Sequence, residues 1–269
     1  SKRPPASGTP IPIHDAVVIG AGVMGSGIAH TLASRGIRVL MTDVASDSLA
    51  RGLERIRGLV SDATRRRLVT KVQGRDTLDR IATTTEKVPL TRHHLLIEAA
   101  TESMELKKKI FADLAARVSS DTILATNTSA LSVAELAQSV PHPERVIGLH
   151  FFNPVHRMPL VEIITLPETS PDVLATAITF VQKIGKTPVV VKDSPGFLVN
   201  RILVPYLMEA VRLHASGIPV KDIDDAMLEF GMPMGPMRLL DEIGLDVASH
   251  VAKTLAEAFP DRFPKSDVL

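Results

Sequence analysis

From Asp15 onward, short continuous apolar runs alternate with longer amphipathic stretches. Ala16-Val17-Val18-Ile19 is such a run, the pattern of a strand covered on both faces in a parallel sheet. A glycine-rich turn follows at once. Residues 26–35 then set Ile28, Ala29, Leu32 and Ala33 on one helical face, and Gly36 ends the stretch. Residues 38–43 predict a second strand, which completes a βαβ unit. Further strands are predicted at 81–84, 95–99, 122–127, 146–151, 160–166 and 188–191. Helices are predicted at 102–118, 133–140 and 171–184, and one long basic helix at 46–73. Near residue 193 the alternation stops. Only helical spacing follows, over 197–216, 220–230 and roughly 237–258, punctuated by Gly217, Pro219, Gly231, Pro233, Gly235 and Pro236. The expected organisation is an α/β sheet domain over 15–193 and an all-helical domain over 194–269. Before them, residues 1–14 hold Pro4, Pro5, Pro10 and Pro12 and read as a leader or linker rather than a core element.

Composition narrows the function classes. The 269 residues are 45% apolar and 23% charged, as in chains that bury a core. Lys+Arg number 31 against 30 Asp+Glu, a net charge of +1, and no dense basic stripe is present, so nucleic acid is not an expected partner. Cysteine is absent. That removes disulfides, a thiolate metal site and a Cys nucleophile, and it is compatible with the cytoplasm or another reducing compartment. No metal site is expected. No apolar run reaches the ~18 residues of a membrane span, and the start, Ser1-Lys2-Arg3-Pro4-Pro5, lacks the apolar segment of a signal peptide. A chain starting with Ser is read as processed or excised.

Gly20-Ala21-Gly22-Val23-Met24-Gly25 fits G-x-G-x-x-G in its required setting, after a buried strand and at the opening of a helix. The first glycine makes the turn, the second lets backbone approach a pyrophosphate, and the third allows close helix–strand contact. Asp43 ends the second strand about 20 residues on, where an acid binds adenosine ribose hydroxyls and repels a 2′-phosphate. The cofactor expected is therefore NAD, on a Rossmann-like doubly wound sheet. A strand–turn–helix without ligand is the competing reading.

His150 falls at the end of a strand, where ligands collect in open α/β sheets. Glu162 lies inside the apolar run Leu160-Val161-Glu162-Ile163-Ile164, and an acid there is costly to bury unless paired. If the two strands are neighbours, Glu162 orients the imidazole and leaves its other nitrogen as a general base. The same spacing serves a structural ion pair equally well. Ser129, in Thr126-Asn127-Thr128-Ser129, and Asn200, just past the domain boundary, could complete a site. Helix capping by Ser129 or Thr128 and a solvent-facing Asn200 explain them as readily.

Assembled, the chain resembles the L-3-hydroxyacyl-CoA dehydrogenase family from about Val17 to about Leu255. The motifs that carry the resemblance are Gly20 to Ala29, Glu98-Ala99 with Glu102, Asn127-Thr128-Ser129, His150-Phe151-Phe152-Asn153-Pro154, Val161-Glu162, Pro195-Gly196-Phe197 with Asn200-Arg201, and Pro233-Met234-Gly235-Pro236 with Leu239-Leu240-Asp241. The stretch Asn153 to Glu162 is most similar to the dehydrogenase part of multifunctional fatty-acid oxidation proteins, in which an enoyl-CoA hydratase domain comes first.

The resemblance implies NAD on the sheet domain and an acyl-CoA between the domains. His150 would take the 3-hydroxyl proton while hydride leaves C3 for the nicotinamide, with Glu162 bracing His150 and with Ser129 and Asn200 on the substrate oxygen. Gly20, Gly22, Val23, Met24, Gly25, Asp43, Glu102, Lys107, Asn127, Ser129 and Asn153 match positions of the NAD site. Arg66, and Ser129 again, match positions toward the CoA substrate. The family's C-terminal helices build a homodimer. Two departures stand out: the chain ends at Val268-Leu269 without the family's Gly-Lys-Lys-x-Gly-x-Gly-Phe-Tyr-like ending, so the helical domain is expected to be truncated, and the 46–73 stretch keeps little family sequence. Oxidation of a free 3-hydroxy acid, and a non-catalytic NAD-binding or structural role, are the rival functions.

Overall fold

Each predicted apolar run becomes a strand in the computed structural model of the chain, which describes residues 7–263. The strands are β1 (Asp15–Ile19), β2 (Arg38–Thr42), β3 (Ile81–Thr84), β4 (Leu95–Glu98), β5 (Ile123–Thr126), β6 (Val146–Phe151), β7 (Leu160–Thr165) and β8 (Thr187–Lys192). They form one sheet in the order β3-β2-β1-β4-β5-β6-β7-β8. Every residue of β4, β5 and β6 is buried, which is why these runs lack polar alternation. Edge strand β3 (Ile81-Ala82-Thr83-Thr84) has no fully buried residue, and it is the most polar of the runs.

Strands β1 to β6 pair in parallel. Strand β7 runs antiparallel to β6, and β8 runs parallel to β7. Strand order reverses between β1 and β4, the switch point at which open α/β sheets bind ligands beyond their carboxyl ends. The helices covering this sheet are α1 (Val23–Ser34), α2 (Ser46–Arg65), α3 (Lys71–Asp79), α4 (Met104–Ala115), α5 (Val133–Ala137) and α6 (Pro171–Lys183). The core joins Val18, Ile28, Leu32 and Met41 to Ile97, Ile147, Leu149 and Phe180.

The predicted helix over 46–73 is two helices. Arg67 takes the left-handed conformation at φ 57°, and Thr70 and Gln73 form a reciprocal capping box that starts α3. The hydrophobic period does not change there; the stop signal is the Thr-x-x-Gln cap. The Pro-rich stretch is not a bare linker over its described part. Ile13 is buried in the core, the Ile11 N–H donates to Thr176 Oγ1 (2.9 Å), and Lys183 Nζ donates to the Ile13 carbonyl (2.8 Å). Residues 1–6 of that stretch, and the Val268-Leu269 ending, lie outside the described residues.

Contacts divide the chain into two compact units after Asp193. The second contains α7 (Val199–Ala215), α8 (Val220–Phe230), α9 (Pro236–Ile243) and α10 (Leu245–Ala258). The single helix expected over 237–258 is broken by Gly244 at φ 93°, a conformation that side-chain-bearing residues resist. Leu207, Val211, Leu240 and Ala248 form one cluster in this unit and Val204, Val251 and Leu255 another. Among the described residues, no helix is long and apolar enough to cross a membrane.

One part-buried group makes the sheet unit sensitive to acid. His30, on α1, sits 6.4 Å from the His156 ring in an edge-to-face arrangement, and its Nδ1 has no hydrogen-bond partner among the described residues. Burial first, and the His156 charge second, push its pKa from the ordinary 6.5 to about 4. Between those values the unfolded chain binds the proton and the folded chain does not, so stability is full above pH 6.5 and is lost as pH falls toward 4. At 1.36 kcal/mol per unit the effect is roughly 3 kcal/mol. Urea unfolding at a series of pH values should show this slope in the parent and lose it in His30→Leu.

Candidate active site

The glycine turn separates packing from access. Gly20 holds φ 98°, and a Cβ there would lie 2.7 Å from the Ala99 carbonyl oxygen. At Gly25 a Cβ would lie 1.8 Å from the Gly20 carbonyl oxygen, so helix α1 and the end of β1 touch through bare backbone. At Gly22, the residue capping α1, a Cβ would meet nothing within 4 Å. Packing does not require a glycine there. Open space over the first turn of a 12-residue helix is what a pyrophosphate needs, since that end offers unpaired N–H groups and positive dipole. Val23 is 59% exposed at the same mouth, and Met24 beside it packs against the core.

Asp43 closes the turn from the neighbouring strand. Its Oδ2 accepts the Ala21 N–H at 2.8 Å and its Oδ1 the Ala45 N–H at 3.1 Å. A carboxylate offers about four lone-pair positions, so capacity remains for ribose hydroxyls. Arg55, one charge of the basic stretch over 46–73, reaches back to the turn. Its Nη2 donates to the Ala21 carbonyl (2.6 Å) and its Nε to Ser26 Oγ (3.2 Å).

Across the switch point, Glu98 ends β4 and is fully buried. Lys107, on the first turn of α4, is 1% exposed and donates to both Glu98 oxygens at 2.8 Å. Glu102 Oε1 accepts the Thr128 hydroxyl and the Ser129 N–H at 2.5 and 2.8 Å. Asn127, just past β5, accepts the Phe151 N–H on its side-chain oxygen at 2.9 Å. The loop carrying Ser129 is thereby tied to the segment that leads into α4 on one side and to the end of β6 on the other.

His150 and Glu162 are cross-strand partners in the β6–β7 register. Imidazole Nδ1 lies 2.7 Å from Glu162 Oε2, with Glu162 fully buried and His150 5% exposed. An ionised carboxylate only accepts, so Nδ1 carries the proton. The Phe152 ring packs 4.4 Å from the imidazole. Beyond it runs an exposed loop with Asn153, whose following turn is pinned by Lys186 Nζ donating to the Val155 and Met158 carbonyls, both at 2.6 Å. Burial lowers the Lys186 pKa.

The sheet unit thus gathers Gly20, Gly22, Gly25, Asp43, Glu102, Lys107, Asn127, Ser129, His150 and Glu162 along its carboxyl edge. Arg66 is not among them: it is exposed at the C-cap of α2. Asn200 lies on the first turn of α7 in the helical unit, part-buried.

Residues 15–194 match the family model described as 3-hydroxyacyl-CoA dehydrogenase, NAD binding domain, and residues 196–269 match that of its C-terminal domain. The chain belongs to the 3-hydroxyacyl-CoA dehydrogenase family. Its sheet unit is the NAD-binding domain of that family. Among solved structures, FadB2 of M. tuberculosis shares 37% identity at a TM-score of 0.90, covering 92% of this chain and 88% of that one. The (S)-3-hydroxybutyryl-CoA dehydrogenase PaaH1 from Ralstonia eutropha shares 36% at 0.89, over 93% and 89%. The fatty acid oxidation complex subunit alpha of Acinetobacter baylyi is 43% identical over 251 residues, which are 93% of this chain and 35% of that protein. The chain therefore spans about a third of the length of that curated relative.

Within this dehydrogenase fold, Glu98, Arg55 and Lys186 are the residues that sequence reasoning left without a role. Glu98 entered the sequence reading only as part of the Glu98-Ala99 motif, with no role attached; the physical signal for one was an acid ending an otherwise apolar strand. The glycine geometry gives a paired expectation. Gly25→Ala should cost about 1–3 kcal/mol by overpacking, read as a shift in urea midpoint. Gly22→Ala, which loses only the N-cap preference for glycine over alanine, should cost about 0.5–1 kcal/mol yet weaken NAD binding about tenfold or more (~1.4 kcal/mol), read by calorimetric titration.

Proposed function

We propose that this chain oxidises L-3-hydroxyacyl-CoA to 3-ketoacyl-CoA with NAD, the dehydrogenation step of fatty-acid β-oxidation. The observation that carries the reading is the buried His150–Glu162 pair, in cross-strand register on the same sheet edge as the glycine turn. Glu162 takes Nδ1–H, which fixes the tautomer and stabilises the charged ring, so proton abstraction from the 3-hydroxyl falls to Nε2. Ser129 and Asn200 hold the substrate oxygen. Bound NAD supplies the hydride acceptor; the protein supplies orientation and the proton acceptor. The Gly22 opening receives the pyrophosphate, Asp43 the adenosine ribose, and Val23, Met24, Glu102, Lys107, Asn127 and Asn153 the remainder of the dinucleotide. Carboxylate at Asp43 favours NAD over NADP through charge repulsion.

Arg66, exposed beside Arg65 and Arg67, is the proposed contact for a CoA phosphate. The match to about a third of a fatty acid oxidation complex subunit alpha supports a place for this chain as the dehydrogenase part of a multifunctional polypeptide with an enoyl-CoA hydratase domain. The compartment that goes with this reading is the cytoplasm or another reducing one. Ile202 and Phe230 of the helical unit are 66% and 80% exposed, and they favour a homodimer through that unit.

His150→Gln should lower turnover on 3-hydroxyacyl-CoA on the order of 10²–10⁴-fold, as for a lost general base, with the calorimetric NAD affinity unchanged. Unchanged turnover would remove His150 from the reaction. NADH oxidation should proceed with acetoacetyl-CoA and not with acetoacetate. The reverse preference would favour a free 3-hydroxy acid as substrate, and NAD binding without turnover on either would favour a non-catalytic role.

A further inference from the structure

The mechanism uses one fully buried acid, Glu162, and leaves another, Glu98, unexplained. Glu98 occupies the last position of β4, in register with Ile19 at the end of β1 and with Thr126 at the end of β5. It therefore stands between the glycine turn and the loop that bears Asn127 and Ser129. Its Oε1 accepts the Ala100 N–H at 2.6 Å and its Oε2 the Thr126 hydroxyl at 2.7 Å, while the Lys107 ammonium spans both oxygens. The same ammonium is 3.4 Å from Glu102 Oε2. Glu102 in turn uses its other oxygen on the Thr128 hydroxyl and on the N–H groups of Ser129 and Ala130, the last at 3.4 Å.

The result is a relay of alternating charge: buried anion, buried cation, part-exposed anion, loop. A flexible lysine would let Glu102 swing, because a partly exposed carboxylate gains as much from water as from three donors on a loop. A lysine clamped through both Glu98 oxygens presents a fixed cation, and Glu102 is held against it. We propose that Glu98 is a positioning residue: it clamps Lys107, and through Lys107 it holds Glu102 across the Thr128–Ala130 loop, setting the Ser129 hydroxyl and the neighbouring dinucleotide contacts. The kinetic consequence rests on the dehydrogenase reading. The loop ordering does not.

The test is amide hydrogen exchange on the whole chain without NAD, comparing the parent with Glu98→Gln and with the double variant Glu98→Gln/Lys107→Met. In Glu98→Gln, the Ser129 and Ala130 amides should exchange about 10–100-fold faster, as expected for losing hydrogen bonds to a charged group, while β1 and β6 amides keep their protection. The double variant removes both members of the buried pair, which proteins tolerate better than removing one. It should recover thermal stability without recovering loop protection, because Glu102 has then lost its cation altogether. A role confined to neutralising Lys107 would instead restore both. Loop protection at the parent level in either variant overturns the proposal, and the double variant decides it if the single one fails to fold. Because this readout needs no turnover, it stands apart from whether the chain oxidises an acyl-CoA. If it does, the single variant should raise KM for NAD more than it lowers kcat.

Discussion

A carboxylate shielded from water must have a partner, since its unpaired burial costs more than a small domain can offset. This chain places two such carboxylates, Glu98 and Glu162, on one edge of one sheet. Each is matched with a basic side chain, Lys107 or His150, at hydrogen-bond distance. The two pairs differ in how the partner arrives. Lys107 comes from the helix that follows the acid's own strand, nine positions later in the chain. His150 comes from the neighbouring strand, directly across the ladder.

The second arrangement depends on the direction of β7. In a run of parallel strands the carboxyl edge collects strand ends, and β6 delivers His150 there. A parallel successor would have to cross over the sheet before pairing. The antiparallel β7 returns at once, and its second to fifth residues pair back along β6 from Phe151 to Gly148. Glu162 thus meets His150 near the loop that β6 and β7 share. The loop itself is held by Lys186, which donates to two of its carbonyls and whose pKa is lowered by burial and then by the Arg35 charge. The imidazole and its carboxylate partner are therefore set by ladder hydrogen bonds rather than by loop conformation.

How much of this could be read from the residues alone follows the same physics. Strands covered on both faces announce themselves as continuous apolar runs, so β1, β4, β5 and β6 were legible. The glycine spacing was legible too, and the fold divides it by cause: Gly20 and Gly25 answer to contacts within it, whereas Gly22 answers to none. The Glu162–His150 pairing could be stated as a condition, because an acid within an apolar run needs a partner and the nearest strand held one. Helix breaks at Arg67 and Gly244 were missed because hydrophobic spacing continues through both. The docking of Ile13 was missed because prolines and glycines around it mask one core residue. Arg55 and Glu98 were missed for a different reason. Their partners, the Ala21 carbonyl and the Lys107 ammonium, are specified by the approach of separate elements, and a charged residue in sequence gives no sign of whether it will face water or backbone.

The proposed reaction needs the imidazole that Glu162 holds at Nδ1 to take the substrate proton at Nε2. A crystal structure of the chain with NAD and an acyl-CoA bound would test this most directly. The expected result is His150 Nε2 about 3 Å from the 3-oxygen of the acyl group, with Nδ1 still on Glu162. An imidazole turned away from the acyl chain, or a 3-oxygen bound elsewhere with no base beside it, would contradict it.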